Sequence, residues 1–167
     1  MRYSWTCHCC GEKFDELPMS FALEAPDPWF AVPEGEREAR GVLASDQCII
    51  DGREFYIRGC LELPVRGQDA PFVWGVWVSV SERSFKTIDD LWEAKQRDHV
   101  PPMFGWLCNG IPLYPETRAL KTNVHLRNNG IRPFIELEPT DHPLAVEQRE
   151  GITLERVAEI AAAARMH

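Results

Sequence analysis

Phe72-Val73-Trp74-Gly75-Val76-Trp77-Val78-Ser79-Val80 is apolar on both of its alternating faces. Its valines and aromatics favour an extended chain, and nine residues are far too few to cross a bilayer. A strand with no polar side belongs inside a sheet that is covered above and below. Trp74 and Trp77 have opposite parity on it, so one indole faces the main core and the other an outer layer. Just upstream, Phe55, Ile57, Leu61 and Leu63 alternate with Glu54, Tyr56, Arg58, Cys60 and Glu62, the period of a half-buried strand. Asp51-Gly52 before it supplies the left-handed residues of a tight hairpin. Downstream, residues 103–108, 121–127 and 133–138 also read as strands.

Helices are expected at four places. Residues 34–43 suggest a short exposed helix with Pro33 near its first turn. Ile88, Leu91 and Trp92 place a second over about 87–96. A third, over 144–150, stops at Gly151. Thr153 caps the fourth, whose apolar stripe is Leu154, Val157, Ile160, Ala161 and Ala164. Strands, a helix, strands and closing helices, without βαβ alternation, indicate an α+β fold with a mainly antiparallel sheet and flanking helices. Residues 1–33 read as a cysteine knuckle with a Pro-rich connector (Pro18, Pro26, Pro28, Pro33), forming one compact unit with the α+β domain of 34–167.

The chain of 167 residues is long enough to bury a full core, and six tryptophans with eight phenylalanines exclude disorder. Eighteen Lys and Arg against 26 Asp and Glu leave a net charge of −8. That balance argues against nucleic acid or an anionic membrane as partner, because both select positive surface. No apolar leader follows Met1, so a cytoplasmic protein with reduced thiols is expected.

Cys7-His8-Cys9-Cys10-Gly11 contains C-x-x-C followed by glycine. Two thiolates at that spacing can grip one zinc when the backbone turns tightly around it. A tetrahedral shell needs four ligands, and no second C-x-x-C exists. Cys48, beside the Asp51-Gly52 hairpin, is the best third candidate; Cys60, Cys108, His125 and His142 compete for the fourth place. The alternative is a set of free thiols packed as small hydrophobes.

The other dense group is Glu136, Glu138, Asp141 and His142. Two carboxylates on one strand face, next to an imidazole in a proline-braced turn, suit general acid–base work or a cation, as in a small metal-dependent or acid–base hydrolase. The plainer alternative is a solvated face paired with Arg58 and Arg132, with His142 capping the next helix. Neither G-x-S-x-G, a phosphate-cradling glycine loop nor H-E-x-x-H is present. As surface anchors for a protein partner, Arg58, Trp77 and Tyr114 stand first.

Taken in order, Cys7-x-x-Cys10-Gly11-Glu12, Asp46-x-Cys48-x-x-Asp51-Gly52, Arg58-Gly59, Trp74-Gly75-Val76-Trp77 and Phe104-Gly105-Trp106-Leu107 form a distinctive series. Tyr114-Pro115, Arg132-Pro133, Glu136-Leu137-Glu138, Asp141-His142-Pro143-Leu144-Ala145 and Gln148-x-x-Gly151-Ile152 continue it. The series resembles the bacterial domain of unknown function 2199 family over almost the whole chain. The resemblance implies no particular activity. It favours Cys7, Cys10 and Cys48 over Cys60 and Cys108 as ligands, and Phe14 stands where that pattern often has a histidine. Together these features lead to the expectation of a zinc-stabilised, non-catalytic binding or regulatory module, with hydrolysis as the alternative.

Overall fold

The computed structural model describes residues 5–6, 13–14 and 17–165. Two short strands, β1 (Trp5–Thr6) and β2 (Lys13–Phe14), pair antiparallel near the start. Eight more build one sheet: β3 (Ser20–Ala22), β4 (Gly41–Leu43), β5 (Gln47–Ile50), β6 (Glu54–Leu63), β7 (Phe72–Val80), β8 (Met103–Leu107), β9 (Lys121–His125) and β10 (Phe134–Leu137). The helices are α1 (Asp27–Ala31), α2 (Arg37–Arg40), α3 (Glu82–Asp90), α4 (Pro143–Glu150) and α5 (Leu154–Arg165), with a 3-10 turn at Glu34–Glu36. The fold is α+β, and among the described residues no helix is long and apolar enough to cross a membrane.

Strands β6 to β10 run up and down, each antiparallel to the next. After five such strands the first and last point the same way, so the barrel closes through a parallel pairing of β10 with β6, Phe134 opposite Cys60. Closure removes two sheet edges that would otherwise expose unpaired backbone groups. The sheet is therefore mainly antiparallel, as expected, with parallel pairings at β10–β6 and β3–β7.

Period-two alternation decides which side chains fill the barrel. Ile57, Leu61 and Leu63 of β6 and Phe72, Trp74, Val76 and Val78 of β7 are buried in the main core with Val124 and Ile135. Ile88 of α3, Leu144 of α4 and Val157 and Ile160 of α5 cover it. Each such side chain contributes about 1.5–3 kcal/mol relative to exposure. On the other side of β6 and β7 a second core holds Val32, Cys48, Ile50, Tyr56 and Trp77, packed against Trp29. Trp74 and Trp77 are thus both buried, on opposite faces of one strand.

Two helices differ from the sequence expectation. The one placed at about 87–96 starts earlier, because the Ser81 hydroxyl accepts the Ser84 N–H at 3.0 Å and caps Glu82–Asp90; Leu91 and Trp92 fall in the turns beyond. The 34–43 helix breaks into the 3-10 turn and a single turn of α2, then becomes extended at Gly41. A Cβ at Gly41 would lie 2.5 Å from the Ile49 carbonyl oxygen and 2.9 Å from the Trp29 ring, so the strand approach there tolerates glycine alone. Cys7, Cys9 and Cys10 of the expected knuckle lie outside the described residues.

Candidate functional site

One edge of β6 changes partner midway. Its first half pairs with β5, and the Arg58 N–H still donates to the Asp46 carbonyl at 3.0 Å. Two residues on, the Cys60 N–H donates to the Pro133 carbonyl at 2.8 Å and the edge belongs to β10. Where β5 and β10 part from β6 a cleft of about 350 Å³ opens. Gly59 lets β10 close on β6 just beyond this point, since a Cβ there would lie 2.5 Å from Ile135 Cδ1 and 3.0 Å from the Pro133 oxygen.

The cleft's charged lining is Asp46, Arg58, Arg97 and Arg132. Alternation on β6 turns Arg58 away from the barrel core; its Nη1 reaches the Ser45 carbonyl at 3.4 Å, while its Nε is buried with no hydrogen-bond partner. Burial, then the neighbouring Arg132, lower the Arg58 pKa from its ordinary value. Arg132 Nε donates to Asp46 Oδ1 at 2.6 Å. Arg97 is only 4% exposed and donates to two backbone carbonyls, Arg127 at 2.9 Å and Ile131 at 3.0 Å. Its own N–H is received by Asn128 Oδ1 at 2.7 Å.

Among the described residues neither Arg58 nor Arg97 has a carboxylate within salt-bridge distance; the ion pairs of this region are Arg132–Asp46 and Arg127–Glu62. Three guanidinium groups against one carboxylate leave a surplus of two positive charges, on a chain whose net charge is −8. Ile57, Ile88, Trp92 and Ile131 supply apolar wall. The lining has no histidine, cysteine, serine or threonine, so it offers donors for an oxyanion but no nucleophile.

The other sequence candidates lie elsewhere. Trp77 is fully buried, its indole N–H donating to the Leu23 carbonyl at 2.9 Å and its backbone N–H to Asn109 Oδ1 at 2.8 Å. It is a packing anchor rather than a surface contact, because both faces of β7 are covered. Tyr114 is half-buried and donates to Glu147 Oε1 at 2.6 Å under the Arg156 guanidinium, which itself donates to Glu147 Oε2 at 2.9 Å. Burial, then that bond to Glu147, raise the Tyr114 pKa.

Glu136 meets His125 Nε2 at 3.0 Å, not an arginine. Glu138 and Asp141 are exposed. His142 Nδ1 accepts the Leu144 N–H at 3.1 Å, capping α4, while Nε2 stands 3.0 Å from the Glu116 carbonyl, a pairing that the Nε2–H tautomer satisfies. Among the described residues no three His, Cys, Asp or Glu side chains gather as a metal-holding group.

Cys48 is buried in the second core opposite Tyr56, and desolvation pushes its thiol up to about 12. Cys108 packs against the same core, pushed up to about 11 for the same first reason. Cys60 is half-buried on β6. Cys7 and Cys10 lie outside the described residues.

Sequence reasoning singled out Arg58 but missed Asp46 and Arg97 as site residues. Asp46 and Arg132 are 86 positions apart, and Arg97 sits in an irregular polar stretch with no periodicity to mark it. The signals present were the Arg58-Gly59 and Arg132-Pro133 pairs, each an arginine beside a residue that shapes the backbone.

A family model described as "Uncharacterized protein conserved in bacteria (DUF2199)" matches residues 6–152, a span that includes every charged residue of the cleft. No curated protein and no solved structure matches the chain.

Proposed function

The chain belongs to the DUF2199 family of uncharacterised bacterial proteins, and we propose that it is a non-catalytic binding module that receives an anionic group in the cleft between β5, β6 and β10. One observation carries this: Arg58 has a buried Nε–H with no partner, and a second arginine of the cleft lining, Arg97, also lacks a carboxylate among the described residues. A buried donor left unmade costs about 1–3 kcal/mol, more when charged, and an incoming oxyanion removes that cost. Zinc held by Cys7 and Cys10 braces the start of the chain in this scheme and takes no part in the cleft.

Hydrolysis at Glu136, Glu138, Asp141 and His142 has less in its favour, because both ring nitrogens of His142 are engaged by backbone groups. The test is the melting temperature in acetate, sulfate or phosphate against chloride at matched ionic strength, for the native chain and for Arg58→Gln with Arg132→Gln. At least one oxyanion should stabilise the native chain more than the variant, which removes general salt effects from the comparison. Equal responses of the two proteins to every anion would overturn the proposal.

A further inference from the structure

Resting on the reading of the cleft as an anion site, we infer that its ligand is a small-molecule phosphomonoester whose doubly charged head meets Arg58 and Arg97 and whose flat apolar body lies against Trp92. The charge count comes first. Asp46 neutralises Arg132 at 2.6 Å, which leaves Arg58 and Arg97 as two guanidinium charges without a carboxylate among the described residues. A monoanion would balance one of them; a phosphomonoester, with a second pKa near 6, balances both at neutral pH.

Donor geometry agrees. Arg58 comes from a strand, and Arg97 is fixed by its bonds to the Arg127 and Ile131 carbonyls, so the two are held by separate rigid supports. Guanidinium donors carried on two separate supports suit the several oxygens of a tetrahedral head.

The remaining space argues for an organic body. A cleft of about 350 Å³ falls in the range of small-molecule sites, roughly 300–1,000 Å³, and exceeds what a bare oxyanion fills. Its apolar wall includes Ile57 and Ile88, both buried, and two exposed side chains, Trp92 at 42% and Ile131 at 52%. An exposed indole on the wall of an arginine site offers a ring on which a planar group can stack.

The probes are phenyl phosphate, benzoate and inorganic phosphate, titrated calorimetrically into the full chain. At pH 7.5 phenyl phosphate should bind at least tenfold more tightly than benzoate, and it should weaken several-fold at pH 5. The phosphate regains its second proton over that interval while the arginines stay charged, and no imidazole lines the cleft. Trp92→Ala should weaken phenyl phosphate and leave inorganic phosphate unchanged. Inorganic phosphate binding as tightly as phenyl phosphate would point to the free ion and overturn the organic body.

Benzoate binding as tightly as phenyl phosphate, with both lost in Arg58→Gln, would overturn the dianion while the anion site stood. Failure of all three probes, together with no anion-specific stabilisation, would remove the site itself. The pH series on the native chain needs no variant, so a poorly folding substitution does not shield the inference.

Discussion

Gly59 is the residue on which the cleft's geometry turns. Its neighbours Arg58 and Cys60 donate to different strands, and the missing side chain lets Ile135 and the Pro133 carbonyl close on β6. An added methyl would lie 2.5 and 2.6 Å from two carbons of Ile135, a side chain that is itself fully buried and has no room to retreat. Overpacking of this kind costs about 1–3 kcal/mol. Gly59→Ala should therefore lower the unfolding free energy from denaturant titration by about 1–3 kcal/mol. Because Arg132 adjoins Pro133, the same substitution should also weaken any anion response of the cleft. A Gly59→Ala protein as stable as the native one would mean that β10 can move away from β6 freely, and the cleft would not be a preformed site.

At the scale of elements, the sheet was legible in the sequence and its closure was not. Strand β6 announces itself by alternation and by the Asp51-Gly52 turn before it, whose residues both adopt positive φ, 55° and 65°, and β7 by an apolar run with no polar side. Periodicity says which face of a strand is buried, but not which strand lies beside it. Hence the parallel β10–β6 seam had no local signal, and neither did the cleft that forms where β5 leaves off. The same limit explains Trp77: its parity was clear, yet only the packing of Val32 and Trp29 over β7 decides that it is buried.

The start of the chain is an element whose chemistry is testable directly. β1 and β2 pair in register, Trp5 with Phe14 and Thr6 with Lys13, and the six positions between them carry Cys7 and Cys10. C-x-x-C followed by glycine is the sequence spacing on which the expected zinc knuckle rests. Protein purified under reducing conditions without chelator should contain about one zinc per chain, and Cys7→Ser with Cys10→Ser should abolish it. Metal-free native protein would refute the knuckle and leave the cleft proposal untouched.

Over the molecule as described, four buried or half-buried weak acids have pKa values well above their ordinary ones. Cys48 is raised to about 12 and Cys108 to about 11, while Tyr56 and Tyr114 are raised as well, each chiefly by burial. All four are neutral in the folded protein at pH 8. In the unfolded chain the thiols ionise near pH 8.5 and the phenols near pH 10. A raised acid therefore holds its proton longer when folded, so above those values the unfolded state binds fewer protons and stability falls with rising pH. The contribution is fully present below the unfolded pKa and disappears between that value and the folded one.

Each ionising group steepens the decline by at most about 1.4 kcal/mol per pH unit. Urea midpoints measured with reductant should be level from pH 7 to 8, then drop with increasing slope from pH 8.5 to 10.5. Tyr114→Phe keeps the ring under Arg156 and leaves Glu147 bonded to that arginine, so it should fold. It should be slightly less stable at pH 7 and lose less than the native chain on going to pH 10.5. If the two proteins decline in parallel, the Tyr114 hydroxyl is not held neutral by its burial against Glu147, and the tie between the 114 turn and α4 is weaker than its 2.6 Å bond implies.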